Sequence, residues 1–282
     1  MRHPRRNAYY VALGSSFAAG LGLGRRAPGS PIVSKRSQNG YPQQLARMLE
    51  VPSFTDMTSS GATIRQVLNG GQMYLGPQVD ALGPDTRLVT LTAGGNDIRY
   101  VGDLMFLAYR NRRGVVGCLL KAFWKGPKPV GERDLPALSA DMRATLHEIR
   151  LRSPKAHIVV ATYPTILPTS SVCMRLGLTD EQASLMRPVG ESLAEITRVA
   201  ANEAGATLVD MATLSVEHDV CSAEPWVNGP YPKTGTGFAF HPTFAGAQAT
   251  AHAILRRIVE YERESDGEAS GAGNNLRHVS VG

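Results

Sequence analysis

The sequence predicts an α/β fold in which helices cover a central, mainly parallel sheet of five strands. Apolar runs alternate along the chain with stretches whose apolar residues recur at helical spacing. Most of the runs are short and rich in Val, Leu, Ile, Tyr or Thr, which is typical of strands buried on both faces. No linker divides the chain, so we expect one domain over residues 1–265.

The apolar runs place the strands, and the second of them is indicated mainly by its position. The predicted strands are residues 8–14, 53–57, 87–93, 156–163 and 206–211. The amphipathic stretches predict helices at residues 42–49, 64–69, 135–152, 180–204 and 246–263. Thr179 offers a cap for the fourth helix, Gly205 a terminator, and Pro188 predicts a kink inside it.

Two regions interrupt this alternation. Residues 100–136 form a long insertion that mixes apolar and basic side chains. Insertions of this kind are often binding loops or lids, and a small packed subdomain is the alternative. Residues 266–282, rich in Gly, Ser, Glu and Asn, are predicted to be a disordered tail.

Composition excludes several classes of function. The net charge is +6 and the pI about 9.4, but no basic stripe with interleaved aromatics indicates nucleic-acid binding. No apolar run is long enough to form a transmembrane segment. No Cys, His and Asp cluster has the spacing of a metal site, so we expect neither metal nor cofactor.

The start of the chain bears on localisation. Residues 1–6 are cationic, but the apolar run that follows them is the first predicted strand. Cleavage of this region as a signal peptide would remove that strand, so we expect no signal peptide. The expected location is the cytoplasm, or outside the cell if the chain is a mature form.

Ser16 is the predicted nucleophile. The first apolar run ends in Gly14-Ser15-Ser16, and small residues then lead into a helix. This places the Ser16 hydroxyl at the carboxyl end of a buried strand, where open α/β sheets gather their ligands. A serine hydroxyl needs a neighbouring base to become nucleophilic.

His241 is the predicted base. It lies in the loop Phe240-His241-Pro242-Thr243, directly before the last predicted helix. Five of the other six histidines fall in predicted helices, at the start of a strand or in the tails, and His218 is a second loop candidate.

Two further segments can supply donors to an oxyanion. Gly94-Gly95-Asn96-Asp97 ends the third strand, which is expected to lie beside the first, so the Asn96 amide would face Ser16. Gly61, after the second strand, could donate its backbone N–H from the other side. Taken alone, Gly-Gly-Asn-Asp is typical of a plain turn.

Ser16, Gly61, Asn96 and His241 occur in an order that resembles the SGNH (GDSL-type) hydrolases, over roughly residues 8–263. The resemblance implies a three-layer α/β/α sandwich of flavodoxin-like topology and ester hydrolysis through an acyl-serine intermediate. It also implies an oxyanion hole from the Ser16 and Gly61 N–H groups and the Asn96 side chain.

The chain departs from the family pattern at two positions. Ser15 replaces the aspartate that usually precedes the nucleophile. Phe238 stands where the family commonly has the aspartate that orients the histidine, which places the chain with relatives that use a backbone carbonyl there. We therefore expect a Ser16–His241 dyad oriented by the Phe238 carbonyl, with Asp210 or Asp219 as alternative partners.

The three cysteines lie in different parts of the predicted fold. Cys173 and Cys221 follow the fourth and fifth strands, so both fall in loops on the catalytic side. They either bridge, as in some secreted relatives, or stay reduced. Cys118 is expected to be a small buried residue. Apolar residues of the insertion are predicted to line an acyl pocket or to pack against the sheet: Met105, Phe106, Leu107 and Tyr109.

Lipid or short-chain acyl esters are the expected substrates. One alternative is removal of acetyl groups from a carbohydrate or cell-wall polymer. The other is an inactive binding protein on the same scaffold, which the two missing aspartates favour.

Overall fold

The computed structural model describes residues 7–275, except for the side chains of Val116 and of residues 265–275. Within this part, five parallel strands form one sheet in the order β2-β1-β3-β4-β5. Their bounds are β1 Tyr10–Gly14, β2 Phe54–Asp56, β3 Leu88–Thr92, β4 His157–Ala161 and β5 Thr207–Val209. The predicted α/β fold is confirmed, and each strand lies inside its predicted range.

Helices cover both faces of the sheet and make a three-layer sandwich. They are α1 Ser16–Ala19, α2 Tyr41–Met48, α3 Ile64–Asn69, α4 Tyr100–Asn111, α5 Val115–Phe123, α6 Leu135–Arg152, α7 Asp180–Glu203, α8 Met211–Leu214 and α9 Phe244–Asn275. Alternate residues of β1 serve different layers: Val11 and Leu13 pack towards α3, α6 and α7, while Tyr10 and Ala12 pack towards α2 and α9.

The insertion is a packed helical unit built from α4 and α5. A buried ion pair fixes its base, because Asp103 of α4 accepts from Arg133 at 2.9 Å just before α6 begins. Arg133 also donates to the carbonyl of Ile98, ahead of α4. Of the two alternatives for this region, the structure shows the packed subdomain.

The end of the chain differs from the prediction in one respect. The last helix, predicted to end at residue 263, continues to Asn275. The rest of the predicted tail, residues 276–282, lies outside the described residues.

Candidate active site

Ser16 and His241 meet although 225 positions separate them in the sequence. Ser16 begins α1 directly after β1, and His241 lies in the loop before α9. The Nε2 atom of His241 is 2.7 Å from the Ser16 hydroxyl oxygen, and each residue is 5 % exposed. This separation is within the range that proton transfer requires.

A backbone carbonyl orients the His241 ring, but it belongs to Ala239. The His241 Nδ1 atom is 2.7 Å from the Ala239 oxygen. The predicted partner, the Phe238 carbonyl, instead accepts the backbone N–H of His241 at 3.1 Å. The reason is the turn at Phe240, whose φ of +56° is unusual for a bulky residue. That turn folds the chain back so that the nearer carbonyl faces the imidazole.

Neither alternative carboxylate reaches the His241 ring. Asp210 accepts from Arg198 at 2.9 Å and caps α8, and Asp219 accepts from the backbone N–H of Cys221 at 2.6 Å. The His241 ring is therefore bonded to Ser16 on one side and to a backbone carbonyl, not a carboxylate, on the other.

Burial sets the protonation state of His241. Removal from water lowers its pKa to about 4, although the bond to the Ala239 carbonyl opposes this shift. The imidazole is consequently neutral near pH 7. Because a carbonyl can only accept, the proton lies on Nδ1, and the Nε2 lone pair faces the serine.

Gly61 and Asn96 lie at the same edge of the sheet as Ser16, because β1 pairs with both β2 and β3. One Asn96 amide hydrogen goes to the Ala62 carbonyl at 2.8 Å, which leaves the other available. Gly61 has a φ of +88°, a conformation that favours glycine. The loop that carries Gly61 is bonded to the end of β1, because the Ser59 N–H donates to the Gly14 carbonyl at 2.9 Å.

Tyr163 supports the turn that carries the nucleophile, a role the sequence did not reveal. Its hydroxyl is 2.6 Å from the Ser15 hydroxyl and also accepts the backbone N–H of Gly95. Its ring stacks on Phe17 with centroids 4.0 Å apart. A Cβ at Gly95 would lie 2.6 Å from this ring, so only glycine fits there. Ser15, in the place of the usual aspartate, is thus buried and bonded.

The predicted acyl-pocket residues pack the insertion instead. Leu107 is 1 % exposed in the core, and Met105 packs against the same core. Phe106 contacts Trp124, and Tyr109 contacts Tyr231. The physical reason is that α4 is a helix docked by its apolar side, so Leu107 and Met105 face the core while Phe106 and Tyr109 contact neighbouring aromatic rings.

A cavity of about 800 Å³ lies beside the free edge of β2. Its apolar lining includes Ile32, Phe54, Met57 and Leu75. It approaches the candidate oxyanion hole through Gln72, whose side chain lines the cavity and donates to the Ser60 carbonyl at 2.7 Å. Two loops the sequence left unassigned enclose this cavity, so only the structure reveals it.

Cys173 and Cys221 form a disulfide that joins the loops after β4 and β5. Cys118 is free and exposed on α5, not buried as expected, because its side of the helix faces solvent.

No group of His, Cys, Asp and Glu within the described residues could hold a metal ion. None of the helices in this part of the chain is long and apolar enough to cross a membrane.

Comparison with known proteins gives concordant matches. Residues 12–249 match the GDSL-like Lipase/Acylhydrolase family. Lipase 2 of Streptomyces coelicolor is 32% identical over 227 residues, which cover 76% of this chain and 73% of that protein. The crystal structure of phospholipase A1 from Streptomyces albidoflavus NA297 is similar at TM-score 0.68 and 26% identity, covering 88% of this chain and 97% of that one. An extracellular lipase structure from Streptomyces rimosus gives TM-score 0.65 and 26% identity, covering 87% and 97%.

Proposed function

Because this chain belongs to the GDSL-like lipase/acylhydrolase family and is a carboxylic ester hydrolase, we propose that it works through an acyl intermediate on Ser16. His241 Nε2 takes the hydroxyl proton as the serine oxygen attacks the ester carbonyl carbon. The observation that carries the proposal is the 2.7 Å separation between these two atoms.

The charges that develop in this step have partners. The imidazolium formed at His241 keeps its Nδ1–H on the Ala239 carbonyl, which fixes the ring and its tautomer. The oxyanion receives hydrogen bonds from the Ser16 and Gly61 N–H groups and the free Asn96 amide hydrogen. The alcohol leaves with the proton from Nε2, and a water activated by the same nitrogen then hydrolyses the acyl-serine.

Lipid esters are the substrates that the site favours. The β2-edge cavity is lined in part by apolar side chains and reaches the oxyanion loop through Gln72. It would receive the acyl chain while the ester carbonyl lies between Ser16 and Asn96. The names of the Streptomyces lipases and of the phospholipase A1 support this class.

A carbohydrate acetyl esterase is the second candidate, because the cavity also presents polar side chains that could bind hydroxyl groups. They are Gln43, Gln66 and Gln72. The inactive alternative is disfavoured by the hydrogen-bonded dyad, since a binding protein does not need a neutral imidazole facing a serine.

Hydrolysis of p-nitrophenyl esters of increasing chain length, with acetylated xylan beside them, tests the proposal. We expect turnover of both short and long chains, lost by at least about a thousandfold in Ser16→Ala. Leu75→Trp should fill the cavity and reduce long-chain turnover selectively, whereas Leu151→Trp on the exposed face of α6 should not. Cleavage of acetylated xylan but not of long-chain esters would contradict the lipid assignment.

The disulfide supports a location outside the cytoplasm, where such bonds persist. The Streptomyces rimosus relative is described as extracellular. We therefore infer the secreted alternative. Fractionation of the source cells under thiol-blocking conditions tests this inference, and oxidised protein should appear in the culture medium.

A further inference from the structure

Helix α5 carries its apolar side chains on the outside. Val115, Leu119 and Phe123 are 76 %, 52 % and 83 % exposed, and Cys118 and Ala122 are exposed as well. These positions recur at spacings of three and four residues, so they form one continuous stripe along the helix. A stripe of this kind normally faces a core, but this one faces solvent.

The segment that carries the stripe contains positive charges and no negative ones. From residue 104 to residue 131 the chain contains no Asp or Glu, and it contains six basic side chains: Arg110, Arg112, Arg113, Lys121, Lys125 and Lys128. All except Arg110 are exposed. Along this segment the exposed apolar stripe is therefore accompanied by exposed cations.

The opposite side of α5 packs against the rest of the protein. Trp124, at its end, packs against the core and contacts Phe106 of α4, with ring centroids 5.6 Å apart. The end of α4 in turn contacts the loop that carries His241. There the Tyr231 hydroxyl donates to the Ala108 carbonyl at 3.0 Å, and Arg112 lies over the Tyr231 ring. The stripe therefore lies on a helix that packs on α4, and α4 contacts the loop that carries the catalytic candidate His241.

We propose that α5 binds the surface of an anionic lipid bilayer, with its apolar stripe in the headgroup region and its cations on the lipid phosphates. A helix that combines an exposed apolar face with flanking lysines and arginines has the composition of an interfacial helix. The positive flank matches the negative surface of anionic lipids, with each lysine near the surface strengthening binding about fivefold.

The charge of this segment also favours an anionic bilayer over a second copy of the chain as the binding partner. A second copy would bring two sets of the same cations together with no acidic residue in either segment to pair with them. An anionic bilayer supplies both the apolar phase and the opposite charge. Binding there would place the lipid-ester site proposed above at its substrate, but the binding itself does not depend on catalysis.

Co-sedimentation with vesicles tests the proposal. The probe is a vesicle of equal parts phosphatidylglycerol and phosphatidylcholine, compared with phosphatidylcholine alone. The wild type should bind the anionic vesicles, and more weakly as salt is raised. Leu119→Ser/Phe123→Ser should reduce partitioning on the order of a hundredfold, since each side chain contributes roughly tenfold. The matched control Leu151→Ser/Leu214→Ser removes exposed leucines elsewhere and should bind normally.

A charge pair separates the two contributions. Lys121→Gln/Lys125→Gln should weaken binding to anionic vesicles about fivefold for each lysine, whereas Lys35→Gln/Lys155→Gln should not. A fluorophore on Cys118, the free cysteine on the stripe, should shift to the blue when vesicles are added.

Catalysis is separated from binding by Ser16→Ala, which should bind vesicles as the wild type does. The α5 variants should keep wild-type turnover of a soluble short-chain ester. The proposal is overturned if the wild type does not bind anionic vesicles or if the stripe variants bind equally well. It is also overturned if the wild type is a dimer that Leu119→Ser/Phe123→Ser dissociates, because the occupant is then a second copy.

Discussion

Replacing Asn96 by alanine should remove one of the three donors proposed for the oxyanion hole. In the structure the Asn96 side chain donates one amide hydrogen to the Ala62 carbonyl at 2.8 Å. This bond holds the side chain in place and leaves its second amide hydrogen for the proposed oxyanion. The substitution deletes that hydrogen without touching Ser16 or His241. The ground-state ester has little charge on its oxygen, so the loss should fall on the transition state.

The expected loss is about a hundredfold to a thousandfold in kcat, or roughly 2.7–4 kcal/mol of transition-state stabilisation, with a small change in KM. The bond to Ala62 is lost as well, and a hydrogen bond of this type contributes about 1 kcal/mol to stability. Folded proteins are typically stable by about 5–15 kcal/mol, so a loss of this size should leave the protein folded.

Initial rates on a soluble short-chain nitrophenyl ester give kcat and KM, and urea unfolding of the same samples gives stability. Asn111→Ala is the matched control, since Asn111 also donates to a backbone carbonyl, that of Gly177 at 2.9 Å, but lies at the exposed end of α4. It should lose stability only. If kcat of folded Asn96→Ala stays within tenfold of wild type, the oxyanion assignment is refuted.

Three further results are expected. Tyr163→Phe should lower the free energy of unfolding by about 2–4 kcal/mol and also reduce kcat, because it leaves the Ser15 hydroxyl and the Gly95 N–H unpaired. Tyr10→Phe, which breaks a single buried hydrogen bond to Thr90 on the other face of the sheet, should leave kcat unchanged. The acidic limb of kcat/KM should lie at about pH 4, since burial lowers the pKa of His241 to about 4 and only the neutral ring accepts the serine proton; a limb at the ordinary value of 6.5 would contradict the buried dyad. Replacing Cys173 and Cys221 by serine should lower stability by about 2–4 kcal/mol, because the disulfide closes a loop with a sequence separation of 48; equal urea midpoints of the two proteins would exclude this.

The sequence was most informative where local pattern and chemistry agree. Short apolar runs predict β1, β3 and β4, which are buried along nearly their whole length, whereas β2 could be predicted mainly from its position. The capped α7 begins at Asp180, as predicted. Ser16, Asn96 and His241 could be predicted as candidate site residues because each lies at a strand end or in a loop whose composition suits its proposed role. The parallel order of β2, β1 and β3 then brings their segments to one edge.

The remaining features depend on the path of the backbone. Whether Phe238 or Ala239 turns its carbonyl to the imidazole is decided by the φ of Phe240, which residue types do not specify. The bond from Ser15 to Tyr163 spans 148 positions, and nothing local indicates it. The structure of residues 100–136 could not be predicted because apolar and basic side chains are mixed there, and the apolar side chains of α5 face solvent.

Covalent labelling tests the central claim most directly, because a fluorophosphonate reacts only with a serine that a neighbouring base activates. Peptide mass spectrometry of the treated protein should find a single phosphonyl group on Ser16. The adduct should be absent from Ser16→Ala and strongly slowed in His241→Gln. No adduct, or an adduct on another residue, would contradict the Ser16–His241 dyad.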